Sequence, residues 1–307
     1  MIATALLLCL AMARFTEARI LDAGSMRKLL GFVRDEFNVK PEYIKSLVPF
    51  TVEGREVGLV KADFASTLST EYSNVFVMKN QQLGFVKDIE TASFEAKTQA
   101  FAEVNLALKE KGFIPGWRDE LLPLGPSFND DPYLKIERAA CSVYGVKGYG
   151  VHVNGFVRDS SSREITHIWV GKRAKDKSTW PGMLDHIVAG GQPFGIGLMD
   201  NVIKECEEEA NIPRDIAATA KPVGAVSYCS LDEIGNLRRD CLFCYDLELP
   251  PTFVPTPLDN EVECFELKDV DFVIQKVVEG SGEGGRVGYK PNCNLVLMVL
   301  NSSEYPL

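Results

Sequence analysis

Three glutamates, Glu205, Glu208 and Glu209, recur at spacing i, i+3, i+4 within the run KECEEEANIP, residues 204–213. Residues so spaced share one side of an α-helix, so three carboxylates converge. In water such a group repels itself. Around Mg²⁺ or Mn²⁺, which take oxygen ligands, the same charges become favourable. An isolated acidic triplet reads as a solvated helix face. This one is preceded by Gly190-Gly191 and the loop QPFGIG, whose glycines let the backbone turn sharply and approach a ligand closely. The combination implies divalent metal held against a pyrophosphate.

The element that must position the glutamates is a helix over residues 200–210. Asp200 is read as its N-cap, Asn211 as the left-handed residue after its last turn, and Pro213 bars continuation. Val202, Ile203, Cys206 and Ala210 supply the packed side. Around it, strands are expected at residues 149–157 (YGVHVNGFV) and 165–173 (ITHIWVGKR), joined by a polar turn. A hairpin at 225–231 and 240–249 turns through Ile234-Gly235-Asn236. A strand at 261–267, a helix at 270–278 and an apolar last element at 293–300 follow. The first part of the chain reads differently. Helices are expected at 25–37 and 93–111, a hairpin at 48–59 turning at Glu53-Gly54, and a strand at 85–89. The chain is thus α+β, a smaller domain at 23–135 preceding a mixed sheet between helices at 136–305.

The chain has 307 residues, 46% hydrophobic and 25% charged, with a net charge of −10. That composition supports a sizeable core and disfavours binding of a nucleic-acid duplex, a polyanion that needs a basic surface. An anionic small-molecule partner remains compatible when metal screens the local charge. Cys241 and Cys244 form a lone C-x-x-C in a strand-like run, without the second pair a structural zinc would use. Only His152, His167 and His186 are present, so any metal site is expected to be built from carboxylates. The apolar run at 2–13 has the length of a signal-peptide core, with Ala11, Ala13 and Ala18 as cleavage points. It suits an N-terminal helix equally well. A targeting segment over 1–22 is one of these two readings, and no mature membrane span is expected.

The stretch from Gly190 to Ile212 resembles the Nudix box, whose second half is R-E-U-x-E-E-x-G-U with U a bulky apolar residue. Glu205, Glu208 and Glu209 fall on its metal-binding glutamates. Lys204 replaces its arginine and Asn211 its last glycine. The first half departs: the glutamate expected upstream falls on Ile196 or Gly197. Further motifs are similar to a Nudix subgroup related to thiamin pyrophosphokinase. They are GWR (116–118), ER-A (137–140), YGVHVNGFV, AGGQP-G, LRRD-LFCYDLELP (237–250) and KPNCNLV (290–296).

The resemblance implies a Nudix α/β/α sandwich and a hydrolase acting on a diphosphate linked to an organic moiety. Mg²⁺ or Mn²⁺ would be held by Glu205, Glu208 and Glu209, with Glu208 or Glu209 as base. Gly190, Gly191, Lys204, Arg238 and Arg239 are the expected substrate-binding residues, and Lys172, Arg173, Glu261 and Glu263 are further candidates. Thiamin diphosphate or its damaged analogues form the first substrate class. ADP-ribose or oxidised nucleoside diphosphates form the second. The missing upstream acid and Lys204 motivate a third reading, a non-catalytic diphosphate-binding module. The sequence sets no oligomeric state.

Overall fold

The computed structural model describes residues 22–37, 39–177, 179–280 and 288–297. The apolar run at 2–13 lies outside them. The chain opens with α1 (Ala23–Glu36) and α2 (Pro41–Ser46). Then β1 (Val48–Val52) turns into β2 (Arg55–Val60), through Glu53 and Gly54 at φ 52° and 74°. Next come α3 (Ala62–Glu71), β3 (Phe76–Lys79), β4 (Gln82–Phe85), α4 (Lys87–Glu90) and α5 (Phe94–Glu110). The strand expected at 85–89 divides there, ending at Phe85 and giving way to a short helix. The hairpin β5 (Leu121–Leu124) and β6 (Leu134–Glu137) closes this unit, followed by one 3₁₀ turn at Arg138–Ala140.

Order in this first sheet is β2-β1-β4-β3. Its core is aromatic. Phe50, Phe76, Phe85, Phe101 and Tyr144 are mutually packed rings, each buried. The Tyr144 hydroxyl, which could not be left unpaired inside, donates to Asn105 Oδ1 at 2.9 Å.

The second unit begins with β7 (Lys147–Arg158) and β8 (Ile165–Arg173), paired antiparallel. It continues through β9 (Leu184–Asp185), β10 (Val188–Gly191), α6 (Leu198–Ala210) and α7 (Arg214–Ala217). β11 (Lys221–Leu231), β12 (Leu237–Glu248), β13 (Val262–Asp269), α8 (Val270–Gly280) and α9 (Pro291–Leu297) complete it. The sheet runs β11-β12-β7-β8-β13, with β10 on β7 and β9 on β8. β7 is parallel to β12 and antiparallel to the rest of its partners. Every residue from Gly150 to Val157 is buried, which a strand covered on both faces requires.

Two helical layers provide that cover. Val151, Val153 and Leu247 pack on Val202, Ile203, Cys206 and Ala210 of α6. Phe156, Ile168 and Val170 face the other way, onto Val270, Val273 and Val277 of α8, Cys293 and Leu297 of α9, and Leu29 of α1. The alternation along β8, Trp169 to one side and Ile168 and Val170 to the other, is the period of two that pleating imposes.

Candidate active site

The glycine pair ends β10. Gly190 lies opposite Val151 and Gly191 opposite Gly150 of β7. A Cβ on Gly190 would stand 2.2 Å from Glu205 Cδ, and one on Gly191 would stand 2.6 Å from Glu120 Oε1. Both glycines are there because carboxylate side chains cross the backbone at contact distance. The helix that carries Glu205 starts two residues before the expected Asp200: Gly197 is its N-cap, and no side chain caps it. Asp200 lies in the first turn, where its charge meets the positive end of the helix. The far end is as expected. Asn211 takes φ 53°, and the Ile212 amide donates back to the Cys206 carbonyl at 3.0 Å.

The glutamate triplet separates into two environments. Glu205 and Glu208 share Lys204, whose Nζ is 3.1 Å from Glu205 Oε1 and 2.8 Å from Glu208 Oε2. Glu209 turns inward. It is 7% exposed, and its Oε2 accepts from the Ala189 amide at 2.9 Å. Asp259 and Glu261 meet it from the segment leading into β13. One oxygen from each of these three carboxylates lies within 4.8 Å of the other two.

Burial pushes the Glu209 carboxyl well above its ordinary range, with only the Ala189 amide pulling it back. Burial also raises Glu205, against the opposing pull of Lys204, and raises Asp259. Burial acts the same way on Glu261, but there the hydrogen bond and charge of Lys177, with Arg138 and Arg173, outweigh it and lower the pKa. The Lys177–Glu261 contact is 2.6 Å. An all-oxygen donor set, with Glu209 buried, Asp259 half-buried and Glu261 exposed, fits a divalent cation of the Mg²⁺ or Mn²⁺ kind.

Lys172, Arg173, Arg238, Arg239 and Glu263 each take a charged partner. Glu263 points to Lys172 at 3.3 Å, leaving Glu261 as the one of that pair in the acidic cluster. Arg173 NH1 donates to Asp185 Oδ2 at 2.8 Å, and its guanidinium also holds the Thr179 and Trp180 carbonyls. Trp169 is buried, whereas Trp180 is 42% exposed. Arg238 stands 3.5 Å from Asp240. Arg239 stands 3.3 Å from Glu56 of the first unit and 3.5 Å from the Gly145 carbonyl.

Sequence reasoning missed four contributors. Asp259 lies in a proline- and threonine-rich connection with no periodicity to mark it. Glu120 comes from the first unit. Asn201 and Gln192 form a buried amide chain: Asn201 Nδ2 donates to the Gly191 carbonyl at 2.7 Å and to Gln192 Oε1 at 3.1 Å, and Gln192 Nε2 donates to the Ile196 carbonyl at 2.7 Å. This chain shapes the loop between the glycine pair and α6. The Q of AGGQP was the available signal.

Two of the three histidines come together. His152 and His186 are distant in sequence but buried together, Nδ1 to Nδ1 at 2.8 Å, with Asp185 and Cys293 beside them. Asp185 is already saturated. Its Oδ2 takes Lys290 at 2.7 Å and Arg173 at 2.8 Å, and its Oδ1 accepts from Cys293 Sγ and the His186 amide. Two cations on one carboxylate oxygen oppose a further cation there, so this cluster is read as a structural hub.

Residues 30–148 match a family described as a domain of unknown function (DUF4743). Over 297 residues the chain is 43% identical to "Nudix hydrolase 20, chloroplastic" of Arabidopsis thaliana, spanning 92% of this chain and 76% of that protein. It is 41% identical over 272 residues to "Nudix hydrolase 24, chloroplastic" of the same plant, spanning 88% and 72%. Among solved structures, DR0079 from Deinococcus radiodurans matches with 20% identity and a TM-score of 0.40, covering 59% of this chain and 97% of that one.

Proposed function

The chain belongs to the Nudix hydrolase family, whose members act on pyrophosphate bonds, and from that membership we propose a metal-dependent diphosphatase acting on a diphosphate linked to an organic moiety. One observation carries the proposal. Glu209, Asp259 and Glu261 bring carboxylate oxygens within 4.8 Å of one another beside the glycine pair. Glu209, Asp259 and Glu261 would hold the cation, with Glu205 and Glu208 of the same helix beside them. When bound, it neutralises phosphate charge and makes an attacking water more acidic.

The chain's own groups do the rest. Gly190 and Gly191 let the Glu205 and Glu120 side chains cross the backbone at contact distance. Glu208, on the open side of α6 and held by Lys204, accepts the proton of the water. Lys204, 39% exposed, keeps a positive charge at that mouth. Arg173 fixes the loop that carries Trp180, whose exposed ring suits stacking on a flat organic moiety.

Thiamin diphosphate or one of its damaged analogues is the substrate we put forward, supported by the motifs shared with the thiamin-pyrophosphokinase-related subgroup. An organelle as the place of work belongs to the same proposal, supported by the chloroplastic naming of both plant relatives. The test is a panel of thiamin diphosphate, its damaged analogues, ADP-ribose and an oxidised nucleoside diphosphate, each with Mg²⁺ and with Mn²⁺. Release of the organic monophosphate from the thiamin compounds alone is expected. Turnover of nucleotides alone would replace the substrate, and turnover of none would leave a binding module.

A further inference from the structure

Two motifs of the first unit, GWR and ER-A, find no use in the second unit's chemistry, yet both deliver an arginine to its mouth. Glu137, 3% exposed, explains the pairing: its Oε1 accepts from the Arg118 amide at 2.9 Å and from the Ala139 amide at 3.2 Å. One buried carboxylate therefore fixes the backbone at Arg118 and next to Arg138.

Arg138 NH1 donates to Glu120 Oε2 at 2.7 Å, and the Arg138 amide donates to the Glu120 carbonyl at 2.9 Å. The guanidinium lies so close over Gly191 that a Cβ there would come within 3.1 Å of NH1. The Arg138 side chain is 42% open to water.

Arg118 is exposed, and Arg138 and Arg173 are both close enough to repel its charge. Glu261 and Glu120 attract it. Arg138 meets Glu120 through NH1, and the forked donors of a guanidinium match phosphate oxygens.

The two units are also tied at this place. The Phe194 amide in the loop after the glycine pair donates to the Leu121 carbonyl at 3.1 Å. Its ring stacks on Phe94 at 5.4 Å and lies under Lys135 Nζ at 4.5 Å.

We propose that Arg118 and Arg138 form a guanidinium clamp on the substrate's diphosphate, so that the N-terminal unit is part of the active site. The proposal rests on the diphosphatase reading above and adds where the diphosphate is gripped. Glu120 then has two effects: it orients Arg138 and brings a carboxylate beside Gly191, next to a loop that lacks the acid of the family pattern.

Inorganic pyrophosphate with Mg²⁺, titrated calorimetrically into the full chain, tests it. Pyrophosphate affinity should fall roughly tenfold to a hundredfold in the Arg118→Ala, Arg138→Ala double variant. Arg118→Ala alone, at an exposed side chain, should lose several-fold and keeps the test alive if replacing Arg138 unfolds the chain. Arg55→Ala, removing a first-unit arginine paired with Asp130, should leave affinity unchanged. Unchanged affinity in folded Arg118→Ala or in the folded double variant, or no pyrophosphate binding by the wild type, would overturn the clamp. If diphosphate hydrolysis persists while the double variant binds as the wild type does, only this inference falls. If no diphosphate is hydrolysed but the double variant binds pyrophosphate more weakly, the clamp stands and the catalytic reading falls.

Discussion

Glu209 gives up nearly all of its contact with water and receives one amide hydrogen bond in return. Its folded pKa is therefore raised, which for a carboxylate means that the native state holds the proton longer than the unfolded chain does. Metal-free stability should fall as pH rises from about 4.5 through the raised value. A bound cation removes that loss. The rise in melting temperature caused by Mg²⁺ is thus expected to be larger at pH 8 than at pH 5.5, and Glu209→Gln should abolish the difference; equal rises at both pH values would contradict the assignment. Gly190 offers a second test at the same scale. An alanine methyl would overlap Glu205 Cδ, so Gly190→Ala should lower kcat by at least tenfold and cost about 1–3 kcal/mol of stability, read by steady-state kinetics and urea melts. The glutamate triplet was legible because one helix carries it. Asp259 and Glu120 were not, because each reaches the site from a remote segment and local spacing records nothing about remote partners.

Among the elements, α6 and the loop before it show where local reasoning works and where it stops. The C-terminal half of α6 follows from Cys206, Ala210, Asn211 and Pro213, whose burial and backbone preferences are local. The start does not. Asp200 is a good capping residue in isolation, but the helix begins at Leu198 because Asn201 must reach the Gly191 carbonyl and Gln192. Strands β7 and β8 were legible from their alternation. The short helix Lys87–Glu90 was not, since four residues carry too little periodicity to separate helix from strand. The amide chain makes an element-scale prediction. Asn201→Ala would leave the buried Gly191 carbonyl and Gln192 without that donor, at a cost of about 1–3 kcal/mol. The loop should loosen with it, so faster amide exchange at residues 192–197 is expected by hydrogen-exchange mass spectrometry.

For the whole molecule, the hub of His152, His186, Asp185, Lys290, Arg173 and Cys293 joins α9 to β7, β8 and β9. Burial pushes His186 down to about 3 and His152 well below 6.5. Between those values and 6.5 the unfolded chain binds protons that the native state refuses, so stability is lost as pH falls from about 6.5. The slope reaches about 1.4 kcal/mol per pH unit for each histidine. Burial pushes Asp185 up, but Lys290, His186 and Arg173 hold it well below its ordinary range, so it adds a loss of the same sign as pH falls below about 3.8. Urea midpoints taken from pH 7 to 5 should decline steeply for the wild type and more gently for a His152→Gln, His186→Gln double variant. An equal decline in both would show that acid sensitivity resides elsewhere. The two-part architecture was readable from the change in pattern along the chain. The contact of the first part with the glycine pair was not, because it depends on Glu120 and Arg138 meeting Gly191 across the join.

The most direct test of the account is Mg²⁺-dependent phosphate-ester release from a diphosphate substrate, compared between the wild type and Glu209→Gln at equal folded concentration. Turnover is expected to require Mg²⁺ and to fall by more than about a hundredfold in the variant, since even outer partners of a metal ligand are worth about 10–100-fold. Turnover that survives Glu209→Gln, or that proceeds equally without a divalent cation, would contradict it.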